Sequence, residues 1–165
     1  MLNLFKSSGL RFLWIALLTV VLDQYTKHLV LVGMELYQSI QITSFFNLTY
    51  VRNYGAAFSF LHDASGWQRW FFTAIALVVS AVILRWLKNT PKEQVMLPVA
   101  FCFILGGAIG NVYDRLAYGY VVDFIDVYYQ QSHWPAFNIA DSAICLGAIL
   151  LIVDMFKNKD TQQEA

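Results

Sequence analysis

Trp70 to Leu87 reads WFFTAIALVVSAVILRWL. A helix that crosses a bilayer needs about 20 mostly apolar residues, and this run meets the requirement cleanly. Three more runs reach that length only by carrying polar residues near one end. They are Phe12 to Leu22 (FLWIALLTVVL), continuing through a polar patch to Val32; Val95 to Tyr113 (VMLPVAFCFILGGAIGNVY); and Phe137 to Phe156 (FNIADSAICLGAILLIVDMF). Composition points the same way. Of 165 residues, 58% are hydrophobic and 13% charged, too few charges to coat a soluble domain, which carries about 25%. Eleven basic and eleven acidic side chains cancel, which leaves no broad basic field for nucleic acid. Cys102 and Cys145 lie in apolar runs and read as small core residues, not as a disulfide framework.

The expected fold is an all-α polytopic membrane protein, one domain over residues 1–165. Four transmembrane helices fall near 11–32, 68–88, 95–115 and 137–156. Residues 33–66 include YQSIQITSFFNLTYV, rich in β-branched and aromatic residues with partial period-2 alternation, and read as one or two strands. An open sheet edge cannot sit in lipid, so this segment forms a small extracytoplasmic β-sheet at the outer interface. Residues 117–136 read as an extracytoplasmic loop and 157–165 as a polar, mobile cytoplasmic tail.

Lys and Arg in short loops set orientation. Lys6, Arg11, Arg85, Lys88, Lys92, Lys157 and Lys159 share one side if four helices alternate. That side is cytoplasmic and holds both termini. Trp14, Trp67, Trp70 and Trp86 fall near the interfaces. The first run is followed by DQYTK and not by a small-residue cleavage site, so it reads as a retained helix rather than a signal peptide.

Ionisable residues inside membrane helices are costly and point to function by default. Asp23 and Lys27 share a helix face at i,i+4 spacing. Asn111, Asp114 and Arg115 close the third helix, Asp123 and Asp126 follow in YVVDFID, and Asn138 and Asp141 open the fourth. All fall at the outer ends of their helices, so one layer collects polar groups from the whole chain. Each has a plainer reading alone. Asp23 and Lys27 could be a surface ion pair with Lys27 snorkelling. Asn138 could be an N-cap, with Asp141 favoured by the helix dipole. Asp114 and Arg115 could mark a helix end at the headgroups. Asp126 reads as a solvated loop carboxylate. Gly106 and Gly110 form a helix-packing face, within one chain or between two. His28, His62 and His133 lack metal-ligand spacing, so neither a metal nor a cofactor is expected.

Asp123 and Asp141 are harder to set aside. A short excursion joins them, so the chain can bring them together. Two carboxylates in a partly desolvated site share a proton and titrate as a pair. The ionised partner can activate water while the neutral one polarises a carbonyl, which hydrolyses a peptide bond without metal, serine or cysteine. An ion-coupled transporter also uses intramembrane Asp and Lys, but its site lies near the midplane and often between repeats. No repeat is present here, and the polar layer is at one face. A non-catalytic assembly protein would leave the converging aspartates unexplained.

Four motifs resemble those of the lipoprotein signal peptidases (signal peptidase II), bacterial aspartyl peptidases of the inner membrane. They are DQYTK at 23–27, RNYGAAFS at 52–59, GGAIGNVYDRLAYGYVVDFID at 106–126 and FNIADS at 137–142. They cover most of the chain in the right order. The resemblance implies that Asp123 and Asp141 are the catalytic aspartates. It also implies a supporting set of Asp23, Asn53, Asn111, Arg115 and Asn138, with Lys27, Asp114 and Ala140 at further motif positions. The implied substrate is a diacylglyceryl-modified prolipoprotein, held in membrane lipid and cut just before its lipidated cysteine. The implied inhibitor is globomycin. The turn from Asn53 to Phe58, with Gly55-Ala56-Ala57, is small enough to admit a substrate backbone, and Asn53 or Arg115 is expected to hydrogen-bond its carbonyls.

Overall fold

The computed structural model describes residues 7–55 and 66–163. The expected close-approach turn at Ala56, Ala57 and Phe58 lies outside the described residues, as do Lys6 and His62.

A short 3₁₀ turn, Gly9–Phe12, leads into α1, Leu13–Gly33. Then come α2 (Trp67–Asn89), α3 (Met96–Ala117) and α4 (Ile139–Gln163). Each is long and apolar enough to cross a membrane. Leu, Ala, Val and Ile make up their interiors, and punctuation residues end them. Thr90 and Pro91 follow α2, where proline cannot continue a helix and biases the residue before it away from helical geometry. Large apolar side chains point outward along these helices, among them Trp14, Leu17, Val78, Ile152 and Phe156, each more than half exposed. An apolar surface that extensive needs lipid around it.

Helix α3 is central and packs against the other three. Its glycines permit this. A Cβ on Gly106 would lie 2.7 Å from Thr19 Cβ on α1, and one on Gly107 would collide with the Ala140 carbonyl on α4. The small-residue face of α3 therefore packs within the chain. Helix α4 runs on to Gln163, so residues 157–163, expected to be a mobile tail, continue the helix.

Four antiparallel strands cap one end of the bundle in the order β1-β2-β3-β4: Ser39–Gln41, Phe46–Asn53, Val121–Tyr129 and Ser132–His133. The first two lie where strands were expected. The third replaces the loop expected over 117–136. VVDFIDVYY carries β-branched and aromatic residues that suit a strand, but Asp123 and Asp126 interrupt its apolar pattern. β2 pairs with β3 through Phe46↔Val127 and Asn53↔Val121, with a register shift between Leu48 and Val51. A bridge between Ile125 and Phe137 then lays the start of α4 beside β3.

Two apolar clusters result. One gathers Leu10, Ile15, Ala16, Ile83, Leu87, Phe101, Cys102 and Leu105. The other gathers Val30, Tyr50, Val122 and Phe124 beneath the sheet. Asp23 and Lys27 fall between Ala16 and Val30 on α1, and Asn111 and Asp114 lie beyond Leu105 on α3. The polar layer is thus sandwiched between two cores.

Candidate active site

Four backbone segments meet in this layer: the middle of α1, the end of α3, the end of the β2–β3 pair where Asn53 meets Val121, and the first turn of α4. Asn138 is the N-cap residue of α4 and is fully buried. Its side-chain carbonyl accepts from the Asp141 N–H at 2.9 Å, and the Asp141 carboxylate accepts from the Asn138 N–H at 3.3 Å. This is the reciprocal capping box, with Asn and Asp in the usual Ser/Thr and Glu/Gln places.

The Asn138 amide NH₂ also donates to Asp123 Oδ1 at 2.7 Å, to the Val122 carbonyl at 3.2 Å and to Asn111 Oδ1 at 3.2 Å. Asn138 therefore touches both carboxylates, one from β3 and one from α4. Asn111 donates its amide to Asp141 Oδ1 at 2.7 Å. Asn53, at the end of β2, donates to Asp123 Oδ2 at 2.9 Å. Its other end accepts the Gly55 N–H at 2.9 Å. Gly55 has φ +110, and a Cβ there would strike the Phe72 ring, so only glycine fits this turn.

Asp123 is buried, 1% exposed. Burial pushes its carboxyl up to about 7, and the facing charge of Asp141 adds to the rise against the lowering pull of Asn53 and Asn138. Asp141 lies in the first turn of α4 and accepts N–H donors on both oxygens, from the Asn111 amide and the Asn138 backbone. Arg115 extends from the last turn of α3, donates to the Asn111 carbonyl at 3.3 Å and lies over Phe72.

Behind the pair is a second, fully buried charge cluster. Lys27 Nζ lies 2.8 Å from Asp23 Oδ2, 2.9 Å from Asp114 Oδ2 and 3.1 Å from Asn111 Oδ1. Its three N–H groups are all used. Asp23 and Lys27 therefore face the protein interior, not lipid headgroups. Asp114 takes the Val122 N–H at 3.0 Å, so it does more than mark a helix end. Ala140 contributes its backbone N–H to Asp23 Oδ1 at 2.9 Å, and its own side chain is buried. Gln24 belongs to the same cluster and was missed in the sequence. Its amide donates to Asp114 Oδ1 at 2.8 Å, to Asp23 Oδ2 at 3.1 Å and to the Gly110 carbonyl at 3.2 Å. The one signal for it was a polar side chain beside Asp23 in an apolar run.

Asp126 stands apart from this site. It is buried, 7% exposed, and not solvated. Asn47, Thr49 and His133 bond its carboxylate at 3.0, 3.2 and 2.8 Å. Burial opposes its ionisation, but these partners prevail and hold its carboxyl below the usual range. Its role is to tie β2, β3 and β4 together. Among the described residues, no three His, Cys, Asp or Glu side chains gather as a metal site.

A four-helix membrane bundle, with a buried Asp123 and a half-buried Asp141 meeting at Asn138 under a small sheet, defines the class: a polytopic membrane peptidase of the aspartic type. The family described as Signal peptidase (SPase) II matches residues 15–157, and the chain belongs to that family. A lipoprotein signal peptidase of Pseudoalteromonas atlantica is 65% identical over 99% of this chain and 100% of its own length. One from Alteromonas mediterranea is 68% identical over 99% of this chain and 90% of its own. Among solved structures, a bacterial membrane enzyme determined by the in meso method at 2.3 Å superposes with a TM-score of 0.83, at 32% identity. It covers 94% of this chain and 93% of that one.

Proposed function

We propose that the chain removes signal peptides from diacylglyceryl-modified prolipoproteins, cutting just before the lipidated cysteine, and that Asp123 and Asp141 are its catalytic pair. The observation that carries this is Asn138: its side-chain amide donates to Asp123 and its side-chain carbonyl accepts the Asp141 N–H, while its backbone N–H donates to the Asp141 carboxylate. One fully buried residue thus holds two carboxylates, Asp123 buried and Asp141 half-buried.

At neutral pH Asp123 is the better holder of the shared proton, because burial raises its pKa to about 7. Asp141 is then the general base in this reading. Asp141 takes a proton from the attacking water as its oxygen bonds to the scissile carbonyl carbon. Asp123 donates its proton toward the carbonyl oxygen, which would otherwise become an oxyanion. Collapse of the tetrahedral gem-diol breaks the C–N bond: the proton on Asp141 passes to the leaving amine, and one hydroxyl returns its proton to Asp123 as the carbonyl re-forms. Positioned acid–base help of this kind is worth about 10²–10⁴ in rate. Asn53 is committed to Asp123 and Gly55, which favours Arg115 as the contact to substrate carbonyls.

The substrate's signal helix and acyl chains lie in lipid, with the scissile bond at the depth of the polar layer. This reading places both termini in the cytoplasm of a bacterium, the bundle in its inner membrane and the sheet on the outer side, with a globomycin-type cyclic peptide as inhibitor. A gel-shift cleavage assay in detergent tests it, using a lipidated prolipoprotein beside an unlipidated control. Cleavage of the lipidated form alone supports the reading. Equal cleavage of both forms, or of neither, removes it.

A further inference from the structure

Asp23 and Asp114 form a second carboxylate pair behind the first, and both are fully buried. Two side chains bridge them. Lys27 reaches both at 2.8 and 2.9 Å, and Gln24 reaches both at 3.1 and 2.8 Å. Each carboxylate then grips a backbone N–H. Asp23 takes that of Ala140, and Asp114 takes that of Val122. Those two residues immediately precede Asp141 and Asp123. The third Lys27 contact, to Asn111 Oδ1, ends on the amide that holds Asp141.

We propose that Gln24 and Lys27 act as one positioning unit that sets the spacing of Asp123 and Asp141, working through Asp23 and Asp114 onto the peptide before each. The inference rests on the peptidase reading above and deepens it. A buried ion cluster is weak as a source of stability, because desolvation offsets most of the attraction. Its geometry is what it supplies here. Asp23 and Asp114 each bond the N–H of the residue before a dyad aspartate, Lys27 bonds the Asn111 side chain that holds Asp141, and α1, α3, β3 and α4 are all joined through the cluster. Gln24 makes the cross-link without adding charge and touches neither dyad carboxylate, so its effect on catalysis can come only through position.

The test uses full-length protein in detergent with a lipidated prolipopeptide. Gln24→Met keeps length and removes the amide. A displacement of about 1 Å can cost about 10² in rate, so kcat should fall by about that factor while KM stays within about twofold. A merely structural role would lower the amount of folded enzyme and leave the kcat of the folded fraction intact, so active enzyme is titrated with a tight-binding inhibitor. Asp114→Asn is the second variant. It keeps an acceptor for the Val122 N–H but drops the charge that Lys27 holds, and the same kcat-only loss is expected. Lys27→Arg, which retains a bridging cation, should recover at least about tenfold of the kcat lost in Lys27→Met. Wild-type kcat in the folded Gln24 and Asp114 variants, or a loss expressed mainly in KM, overturns the inference and leaves the peptidase reading standing. Failure of the unsubstituted protein to cleave the lipidated substrate overturns both.

Discussion

Asn138 and Asp141 bond each other twice, at 2.9 and 3.3 Å, side chain to backbone in each direction. The start of α4 and the orientation of Asp141 are therefore one structural event. Asn138 has two separable duties, capping the helix and donating to Asp123. Asn138→Ser keeps the cap, since Ser and Asn cap about equally well, and loses the amide on Asp123. It should melt above the Ala variant in detergent, though below the parent because the amide's bonds to the Val122 carbonyl and Asn111 are also lost, and lose most of its activity. Asn138→Ala should lose both, with about 1 kcal/mol of stability. Full activity in the Ser variant would show that the Asp123 contact is dispensable.

Asp123→Asn and Asp141→Asn remove the dyad chemistry while keeping shape. Each should lower cleavage of a lipidated substrate by about 10³-fold or more, given what acid–base help contributes, with helix content unchanged by circular dichroism. Normal turnover in either variant would take that residue out of the mechanism.

The proton on Asp123 sets a pH limit. Its carboxyl is raised from 3.8 to about 7, so the acid form is depleted as pH climbs through that value. The cleavage rate should fall on the alkaline side, with a midpoint near 7. The stability sign is also fixed. Between about 3.8 and about 7 the folded state holds a proton that the unfolded state has released, so stability declines as pH rises across that window. Asp123→Asn should flatten that slope in thermal melts recorded at several pH values. A variant as steep as the parent contradicts the assignment.

Gly110 makes room for Asp23: a Cβ there would lie 2.6 Å from Asp23 Oδ2. Gly110→Ala must move either α1 or the carboxylate. Overpacking of this kind costs about 1–3 kcal/mol. Thermal unfolding in detergent reads it, and an unshifted midpoint would mean that α1 yields without resistance.

Lys27→Met leaves Asp23 and Asp114 buried without their cation. Breaking a buried pair from one side costs about 3–5 kcal/mol. Lys27→Met combined with Asp23→Asn and Asp114→Asn should recover part of that loss, because no unpaired charge remains. A triple variant no more stable than the single one argues against charge burial as the cause.

Sequence patterning reached the four helices because each one is long enough to satisfy lipid by itself. It also reached the clustering of Asp, Asn, Lys and Arg, since their cost in lipid makes any such residue conspicuous. β3 was less legible. Its two aspartates are poor strand residues by propensity, and their partners, Asn53 and Asn138 for one, Asn47 and Thr49 for the other, come from distant segments. The same holds for Gln24, whose three acceptors lie on α1 and α3. Local pattern tells which side chains are expensive to bury. It does not tell which backbone N–H will compensate them.

The pairing of β2 with β3 has a consequence for how the molecule is made. Asn53 and Val121 are partners, yet the hairpin of α2 and α3 separates them in the chain. A ribosome delivers β2 long before β3, and the sheet cannot close until both helices of that hairpin have inserted. Asp141 arrives later still, with α4. A partly synthesised chain therefore carries no assembled dyad, and hydrolytic competence emerges only when biosynthesis of the bundle is essentially complete.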